Sequence, residues 1–430
     1  MKVALVNPAW TFEGSIYFGC REPHLPLELG YSKAMLEQAG HSVVMLDGLL
    51  QGLDNDALVE RVAGFAADMT MVLTAPTYLF WRCPPPELRV PAAFLHQLAG
   101  RGGTTVIAGP HGSITPGPAL AKTGADLAIM GECEEVITAL AESGGVPVQH
   151  TAQRSPDGSV TCLDGPHASR FTDHRALSWP DDWVRRHRHH HHRFERPAEG
   201  PGAEVEASRG CPYSCTFCAK LAYRDSYRRR DLEPLLDEID GLLAQGVSYL
   251  YFIDEIFLPQ PMLLEALIAR EVQFGVQTRV DLWKPALLEL LGRAGCVSIE
   301  AGVESLTEAG RAELAKRCAM TTEELTERLI IARQHVPFVQ ANLIGELGDD
   351  AAEVAAWRAE VQTHGIWAND PVPLYPYPAS PDYQKLWGRP DDLAWERAHD
   401  HYLRSFSRFS DIQEQRPARL AELEDSSWQR

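Results

Sequence analysis

The chain has 430 residues, of which 45% are hydrophobic, and this length allows two or three domains of roughly 100–200 residues each. Its formal net charge of −19, from 59 acidic and 40 basic side chains, argues against nonspecific nucleic-acid binding, which requires Lys and Arg to neutralise phosphates. No window reaches the ~18 uninterrupted apolar residues of a membrane helix, and the apolar run ending at Asn7 is too short for a signal peptide, so we expect a soluble cytoplasmic protein with neither nucleic-acid nor membrane partners.

Strands and helices alternate over residues 1–145. Apolar, β-rich runs predict strands over residues 2–7, 41–47, 69–78, 104–112 and 125–132. Apolar residues at helical spacing predict helices over residues 27–40, 58–68, 91–100 and 133–143. Strands separated by helices indicate parallel βαβ units, so we expect a doubly wound parallel sheet here.

The carboxyl ends of these strands form the expected ligand-binding edge of such a sheet. The candidate contacts at this edge are Asn7, Pro8, Thr74, Pro76, Thr77, Gly109, Pro110, His111, Gly112, Gly131 and Glu132. No G-x-G-x-x-G pattern follows the first strand, which disfavours a dinucleotide site. The pattern G-x-x-x-x-G-K followed by Ser or Thr is also absent, which excludes a P-loop.

Residues 146–203 lack this periodicity and are rich in Pro, Gly, Ser and Asp, so we expect a linker or irregular covering segment. They include a His/Arg run, RRHRHHHHR at 185–193. A solvated connector is the simplest interpretation of this run. The alternatives are a substrate- or anion-contacting segment, with His189, His191 and Arg193 as candidate contacts, and a metal site. A second basic run holds Arg224, Arg228, Arg229 and Arg230. We expect it to form a solvated face, and the alternative is contact with an anionic or polar substrate.

The β/α alternation resumes at residue 204. The predicted strands cover residues 204–210, 249–257, 274–283, 296–305, 338–350 and 371–383. Helices are predicted over residues 232–246, 261–271, 284–295, 307–335 and 353–365. Six β/α units are too few for the eight of a full barrel, so residues 204–385 are expected to form a partial (β/α)6 barrel. Residues 386–430 are predicted to add a short helical extension that packs through Trp395, Tyr402, Phe406 and Phe409.

Three of the nine cysteines are clustered, because residues 208–220 read SRGCPYSCTFCAK and hold Cys211, Cys215 and Cys218 at the spacing C-x3-C-x2-C. A structural zinc site needs four ligands, usually as two pairs, and no second pair lies nearby. A redox pair would use Cys215 and Cys218 and leave Cys211 without a role. Three thiolates on a 4Fe–4S cluster would leave one iron open to a substrate or cofactor. The spacing alone is compatible with all three kinds of site.

The cysteine motif, with Phe217 before the third cysteine and with a partial barrel around it, resembles the radical S-adenosylmethionine (radical SAM) superfamily. The resemblance implies that the open iron binds the amino and carboxylate groups of S-adenosylmethionine. One electron from the cluster would then cleave this cofactor to methionine and a 5′-deoxyadenosyl radical, which abstracts hydrogen from an unactivated carbon. The cofactor contacts implied by the resemblance are Phe217, Asp254, Glu255, Arg279, Glu304, Ser305, Gly345 and Glu346.

The sheet domain before the barrel resembles the cobalamin-binding domain of the cobalamin-dependent radical SAM group. The resemblance implies that the strand-end residues of this domain, given above as candidate contacts, bind cobalamin. The chain departs from the cobalamin pattern D-x-H-x-x-G, because Asp47 is followed by Gly48 and Leu49. No histidine from that loop should therefore ligate cobalt. A sheet domain that only packs on the barrel is the alternative.

Together these resemblances imply a C-methyltransferase that acts on an unactivated carbon of a small molecule or natural-product intermediate. They imply three cofactors, namely a 4Fe–4S cluster, S-adenosylmethionine and cobalamin, and a reducing partner such as flavodoxin or ferredoxin. The alternatives are a non-methylating radical rearrangement, cyclisation or oxidation in the same scaffold, and a non-catalytic metal or redox protein.

Overall fold

The first seven strands form a single sheet. The computed structural model describes residues 1–17, 20–80, 83–188, 200–222, 224, 226–345, 347–406 and 415–425. The strands are β1 Lys2–Asn7, β2 Ser42–Asp47, β3 Met69–Leu73, β4 Thr104–Ala108, β5 Leu127–Ile129, β6 Thr151–Arg154 and β7 Val160–Leu163. They lie in the order β2-β1-β3-β4-β5-β6-β7, and β1 to β5 are mutually parallel.

Helices cover both faces of the parallel part of this first sheet. They are α1 Leu27–Gln38, α2 Gly48–Gln51, α3 Asn55–Phe65, α4 Thr77–Phe80, α5 Arg89–Leu98, α6 Pro110–Ile114, α7 Pro116–Thr123 and α8 Glu134–Glu142. Leu36 of α1 and Leu140 of α8 belong to one buried cluster. Val62 of α3 and Phe94 of α5 belong to another. Because apolar helix stripes are buried on both sides of the strands, the predicted doubly wound sheet is confirmed.

Residues 146–203 contain more regular structure than the sequence predicts. Strands β6 and β7 form an antiparallel hairpin that extends the first sheet beyond β5. A short helix, α9 Asp181–Arg186, follows. The hairpin has little hydrophobic periodicity because β7 is mostly exposed and β6 buries only Thr151 and Ala152. The candidate contacts His189, His191 and Arg193 lie outside the described residues.

The second sheet is open and entirely parallel. Its strands are β8 Gly202–Val205, β11 Tyr249–Phe252, β12 Gln273–Thr278, β13 Cys296–Glu304, β14 Phe338–Leu343 and β15 Trp367–Ala368. They pair in the order β15-β14-β13-β12-β11-β8. The connecting helices are α10 Leu232–Ala244, α11 Pro261–Ile268, α12 Pro285–Arg293, α13 Glu308–Glu313, α14 Thr322–His335 and α15 Ala351–Thr363. Six parallel strands without closure are the architecture expected of a partial barrel.

The C-terminal helices pack against both parts of the chain. They are α16 Pro381–Trp387, α17 Ala394–Ser405 and α18 Leu420–Leu423. Trp395, Tyr402 and Phe406 share a buried cluster with Tyr375 and Ile16, as the sequence predicts, whereas Phe409 lies outside the described residues. None of the helices in the described ranges is long and apolar enough to cross a membrane.

Candidate active site

The three clustered cysteines lie on one loop of the second half of the chain. The loop joins β9 Ser208–Arg209, which pairs with β10 Arg228–Arg229, to a 3-10 helix at Ala219–Ala222. Burial raises the pKa of Cys211 and of Cys215, and it raises that of Cys218 to about 12. A half-buried thiol of this kind forms a thiolate readily only beside positive charge, such as iron.

The donor set of this loop fits an iron–sulfur cluster. All three cysteines are free thiols of intermediate exposure, and the pKa of Cys218 is raised further by its neighbours Cys211 and Cys215. In the described part of the chain, no three His, Cys, Asp or Glu side chains converge on a single ion position. A 4Fe–4S cluster does not require such convergence, because each thiolate binds a different iron.

Asp254 and Glu255 follow β11 and point back toward the cysteine loop. Asp254 is fully buried and accepts hydrogen bonds from the Ala207 amide, at 2.9 Å, and from the Ser208 hydroxyl. Burial raises the pKa of Asp254 to about 7. Glu255 Oε2 accepts a hydrogen bond from the Gly210 amide at 2.7 Å. Both carboxylates, which the resemblance assigned to the cofactor, therefore hold the backbone that enters the loop.

Arg279 and Glu304 also lie beside the loop. Arg279 stacks over the ring of Tyr213, a loop residue, at 4.3 Å and forms an ion pair with Asp281 at 2.7 Å. Glu304 forms an ion pair with Lys316, and its φ of 61° places it in the left-handed region that non-glycine residues seldom adopt. Backbone strain of this kind is concentrated at functional sites, so Glu304 stays a candidate contact for S-adenosylmethionine.

The remaining predicted contacts of the second sheet have different surroundings. The Ser305 hydroxyl is bound to the Asp349 carboxylate at 2.8 Å, so it ties two loops together. Gly345 lines a groove of about 410 Å³ with Asp349, Arg358 and Asp370. Glu346 lies outside the described residues.

A cavity of about 440 Å³ lies between the cysteine loop and residues of α4 and nearby loops in the first half of the chain. The loop contributes Phe217 and Cys218 to its wall. The second sheet contributes the polar side chains of Glu204, Tyr251, Gln277 and Glu300. The first half of the chain and the segment after β15 contribute Tyr17, Cys20, Tyr78, Leu79, Cys83, Tyr375 and Tyr377. Mixed aromatic and polar walls are typical of a small-molecule site.

The polar cavity residues are absent from the sequence predictions. Glu204 is the polar residue of β8, Gln277 follows an apolar residue in β12, and Glu300 is flanked by apolar residues in β13. Tyr251 Oη donates to Glu300 Oε1 at 3.3 Å, and Glu204 Oε1 lies 2.7 Å from His24 Nδ1. Since strand side chains alternate between faces, a polar residue in an apolar barrel strand is the signal that would have identified them.

The ends of β1 and β3 contact mainly protein. Asn7 donates to Asp47 at 2.5 Å and accepts from Trp10 at 2.6 Å. Thr77 donates to Glu28 at 2.5 Å. Pro8, Thr74 and Pro76 are buried. Helix α4, which begins at Thr77 after β3, places Tyr78 and Leu79 in the wall of the cavity.

The ends of β4 and β5 are covered by other segments. After Gly109 and Pro110, the His111 ring is buried against Trp395 of α17 at 4.4 Å, and burial lowers the pKa of His111 to about 3. A Cβ at Gly112 would lie 3.2 Å from the Ile129 carbonyl oxygen, and a Cβ at Gly131 would lie 2.1 Å from that of His167. These residues are therefore packed against protein, and their contact with cobalamin stays a prediction.

The second basic run is not a solvated face, so that prediction is wrong. Arg224 and Arg230 are 1% and 4% exposed, and only Arg229 lies largely in solvent among the four arginines. Glu132 binds Arg228 Nη1 at 2.7 Å, and its contact with cobalamin stays a prediction. The prediction failed because Glu132, the acidic partner of Arg228 and Arg224, comes from a segment far away in the sequence.

Comparison with known proteins identifies the second half of the chain. A model of the radical SAM superfamily matches residues 205–357. These residues form a radical SAM domain. The match begins at the end of β8 and ends within α15, so the radical SAM domain includes the cysteine loop and four complete strands of the second sheet.

One curated relative aligns with most of the chain. The anaerobic magnesium-protoporphyrin IX monomethyl ester cyclase of Cereibacter sphaeroides is 23% identical over 416 residues, which are 90% of this chain and 64% of that protein. The chain thus spans slightly less than two thirds of that relative's length.

Two solved structures share the fold of both the sheet domain and the radical SAM domain. The radical S-adenosylmethionine methyltransferase TsrM from Kitasatospora setae, with cobalamin and a 4Fe–4S cluster bound, has a TM-score of 0.69 at 17% identity over 89% of this chain and 73% of its own. The cobalamin-dependent S-adenosylmethionine radical enzyme OxsB, with aqua-cobalamin and S-adenosylmethionine bound, has a TM-score of 0.67 at 15% identity over 94% of this chain and 66% of its own.

Proposed function

We propose that this protein is a cobalamin-dependent radical SAM enzyme that methylates an unactivated carbon of a small molecule. The observation that carries the proposal is the cavity of about 440 Å³, which has Cys218 of the cysteine loop in one part of its wall and Tyr78 and Leu79 of the first sheet's edge in another. A substrate in this cavity would lie between a cluster and a second cofactor. The TsrM and OxsB structures compared above carry cobalamin.

The chain's own residues would hold and orient the reactants. Cys211, Cys215 and Cys218 would bind three irons, and Arg279 and Glu304 beside the loop would contact S-adenosylmethionine. Glu300 and Gln277 would orient the substrate, and the tyrosines of the wall would exclude water. When bound, the cluster with S-adenosylmethionine supplies a hydrogen-abstracting radical and the corrinoid supplies the methyl group. A one-electron donor such as flavodoxin or ferredoxin would be the reducing partner.

The loop after β2 supplies no histidine for cobalt in this proposal. Asp47 caps α2 by accepting a hydrogen bond from the Leu50 amide at 2.7 Å, and it also binds Asn7. The carboxylate is buried, and burial raises its pKa to about 7. The Asp47 side chain is thus used in hydrogen bonds within the protein. Cobalamin would be held by contacts that do not include a histidine of this loop.

The test is cofactor content followed by product analysis. Anaerobically purified protein, reconstituted with iron, sulfide and cobalamin, should retain about four irons and one cobalamin per chain. With S-adenosylmethionine, a reductant and the substrate, it should form both S-adenosylhomocysteine and 5′-deoxyadenosine. Protein that holds iron but no cobalamin would overturn the cobalamin-dependent part of the proposal.

A cyclisation or oxidation in the same scaffold is the second candidate function. It is favoured by the alignment of 90% of this chain with an anaerobic cyclase. It predicts 5′-deoxyadenosine from the substrate-loaded enzyme without S-adenosylhomocysteine, so the same assay separates the two reactions.

A further inference from the structure

The two oxygens of Glu255 bind two different groups. Oε2 accepts the Gly210 amide at 2.7 Å, and Gly210 directly precedes the first cluster cysteine, Cys211. Oε1 accepts a hydrogen bond from Arg224 Nη1 at 2.6 Å. The carboxylate therefore connects the start of the cysteine loop to a buried guanidinium group.

Arg224 is fixed by carboxylates from three segments of the chain. Its Nη1 also lies 3.0 Å from Glu206, beyond the end of β8, and its Nε lies 3.1 Å from Glu132, beyond the end of β5 in the first sheet. Arg224 is 1% exposed, so its charge is tolerable only while these partners stay in place. Glu132, at the end of β5, thereby helps to fix the position of the Glu255 carboxylate through Arg224.

Gly210 lies in a closely packed turn beside Glu255. Its φ of 76° lies in the left-handed region, and a Cβ at this position would be 2.1 Å from the Ser226 carbonyl oxygen. The two residues before Arg209 are held in addition by Asp254, through the Ala207 amide and the Ser208 hydroxyl. Adjacent carboxylates at the end of β11 thus fix the backbone that delivers Cys211.

We propose that Glu255 is a positioning residue for the iron–sulfur cluster, held by Arg224 and, through Arg224, by Glu132 of the first sheet. This assignment gives Glu255 to the cysteine loop instead of the amino group of S-adenosylmethionine. The inference rests on the cluster-binding part of the proposed function. Outer partners that orient metal ligands typically contribute 10–100-fold to metal affinity or activity, so the effect is measurable.

The experiment compares three variants with the wild type after anaerobic reconstitution. Glu255→Gln removes the charge that binds Arg224, and Glu255→Asp keeps the charge on a shorter arm that cannot reach both partners. The control is Glu238→Gln, on α10, which removes the carboxylate charge from the Arg230–Glu238 ion pair, equally buried at 2.7 Å. The readouts are the rate of iron loss to a chelator, and the EPR signal and midpoint potential of the reduced cluster.

Both Glu255 variants should lose iron about tenfold faster than the wild type, with a changed EPR signal and midpoint potential, and Glu238→Gln should match the wild type. Circular dichroism monitors folding; if Glu255→Gln does not fold, Glu255→Asp decides. Glu255 variants that behave like Glu238→Gln would overturn the inference and leave the proposed function intact. A wild type that binds no cluster would instead overturn the proposed function and the inference with it.

Discussion

The carboxyl ends of the two sheets carry similar residues but have different surroundings. In the second sheet, the side chains that follow the strands converge on the cysteine loop, either by holding its backbone, as Asp254 and Glu255 do, or by contacting its side chains, as Arg279 does. In the first sheet, Glu132 and His111 are buried by protein partners. Polar residues at the strand ends therefore position the cysteine loop in the second sheet and pack against other segments in the first.

The largest effect is expected from substituting the three clustered cysteines. This substitution tests the chemical role of the loop at the carboxyl end of the second sheet. Cys211→Ala, Cys215→Ala and Cys218→Ala combined should reduce bound iron to background and abolish 5′-deoxyadenosine formation, because no thiolate remains for the cluster. The fold should persist, since backbone bonds such as Thr216 amide to Leu314 carbonyl, at 3.0 Å, anchor the loop. The exposed Cys162→Ala is the matched control and should keep full iron content. An iron-loaded triple variant would contradict the cluster assignment.

The second largest effect, a loss of folding stability, tests the packing role of residues at the carboxyl end of the first sheet. Glu132→Ala removes the partner of Arg228, at 2.7 Å, and of Arg224, at 3.1 Å, and leaves buried positive charge behind. We expect a loss of about 3–5 kcal/mol in the free energy of unfolding, measured by denaturant titration. Glu396→Gln, in a partly exposed pair with Lys122, should cost less than about 1 kcal/mol. Equal losses would mean that the buried network does not join the two sheets.

A pH effect of intermediate size is expected from Asp254. Because burial raises its folded pKa to about 7, the folded protein holds this proton more tightly than the unfolded chain, whose Asp pKa is about 3.9. Stability from this group is therefore fully present below about pH 4 and is lost as the pH rises toward 7. Asp254→Asn should flatten this part of the pH profile of unfolding relative to the wild type. Parallel profiles of the wild type and Asp254→Asn would contradict the shift.

Much of the fold could be predicted from the sequence, because apolar periodicity distinguishes strands from helices along both halves of the chain. The cysteine loop could be predicted because its three ligands are neighbours in the sequence. The surroundings of Glu132 and Arg224 could not, because 92 residues separate these partners and nothing local marks either one. The hairpin of β6 and β7 was missed because its outer strand buries almost nothing.

The smallest effect tests the comparison within a single basic run. Arg229 is exposed, and its guanidinium group lies 5.7 Å from the Tyr227 ring centroid, whereas its neighbour Arg228 makes two bonds to the buried carboxylate of Glu132, at 2.7 and 2.9 Å. Arg229→Gln should therefore change the free energy of unfolding by less than about 0.5 kcal/mol. Arg228→Gln should cost about 1.5–3 kcal/mol, since hydrogen bonds to charged groups contribute on this scale. Comparable losses in thermal or denaturant unfolding would show that side-chain identity in this run matters more than the partner that the fold supplies.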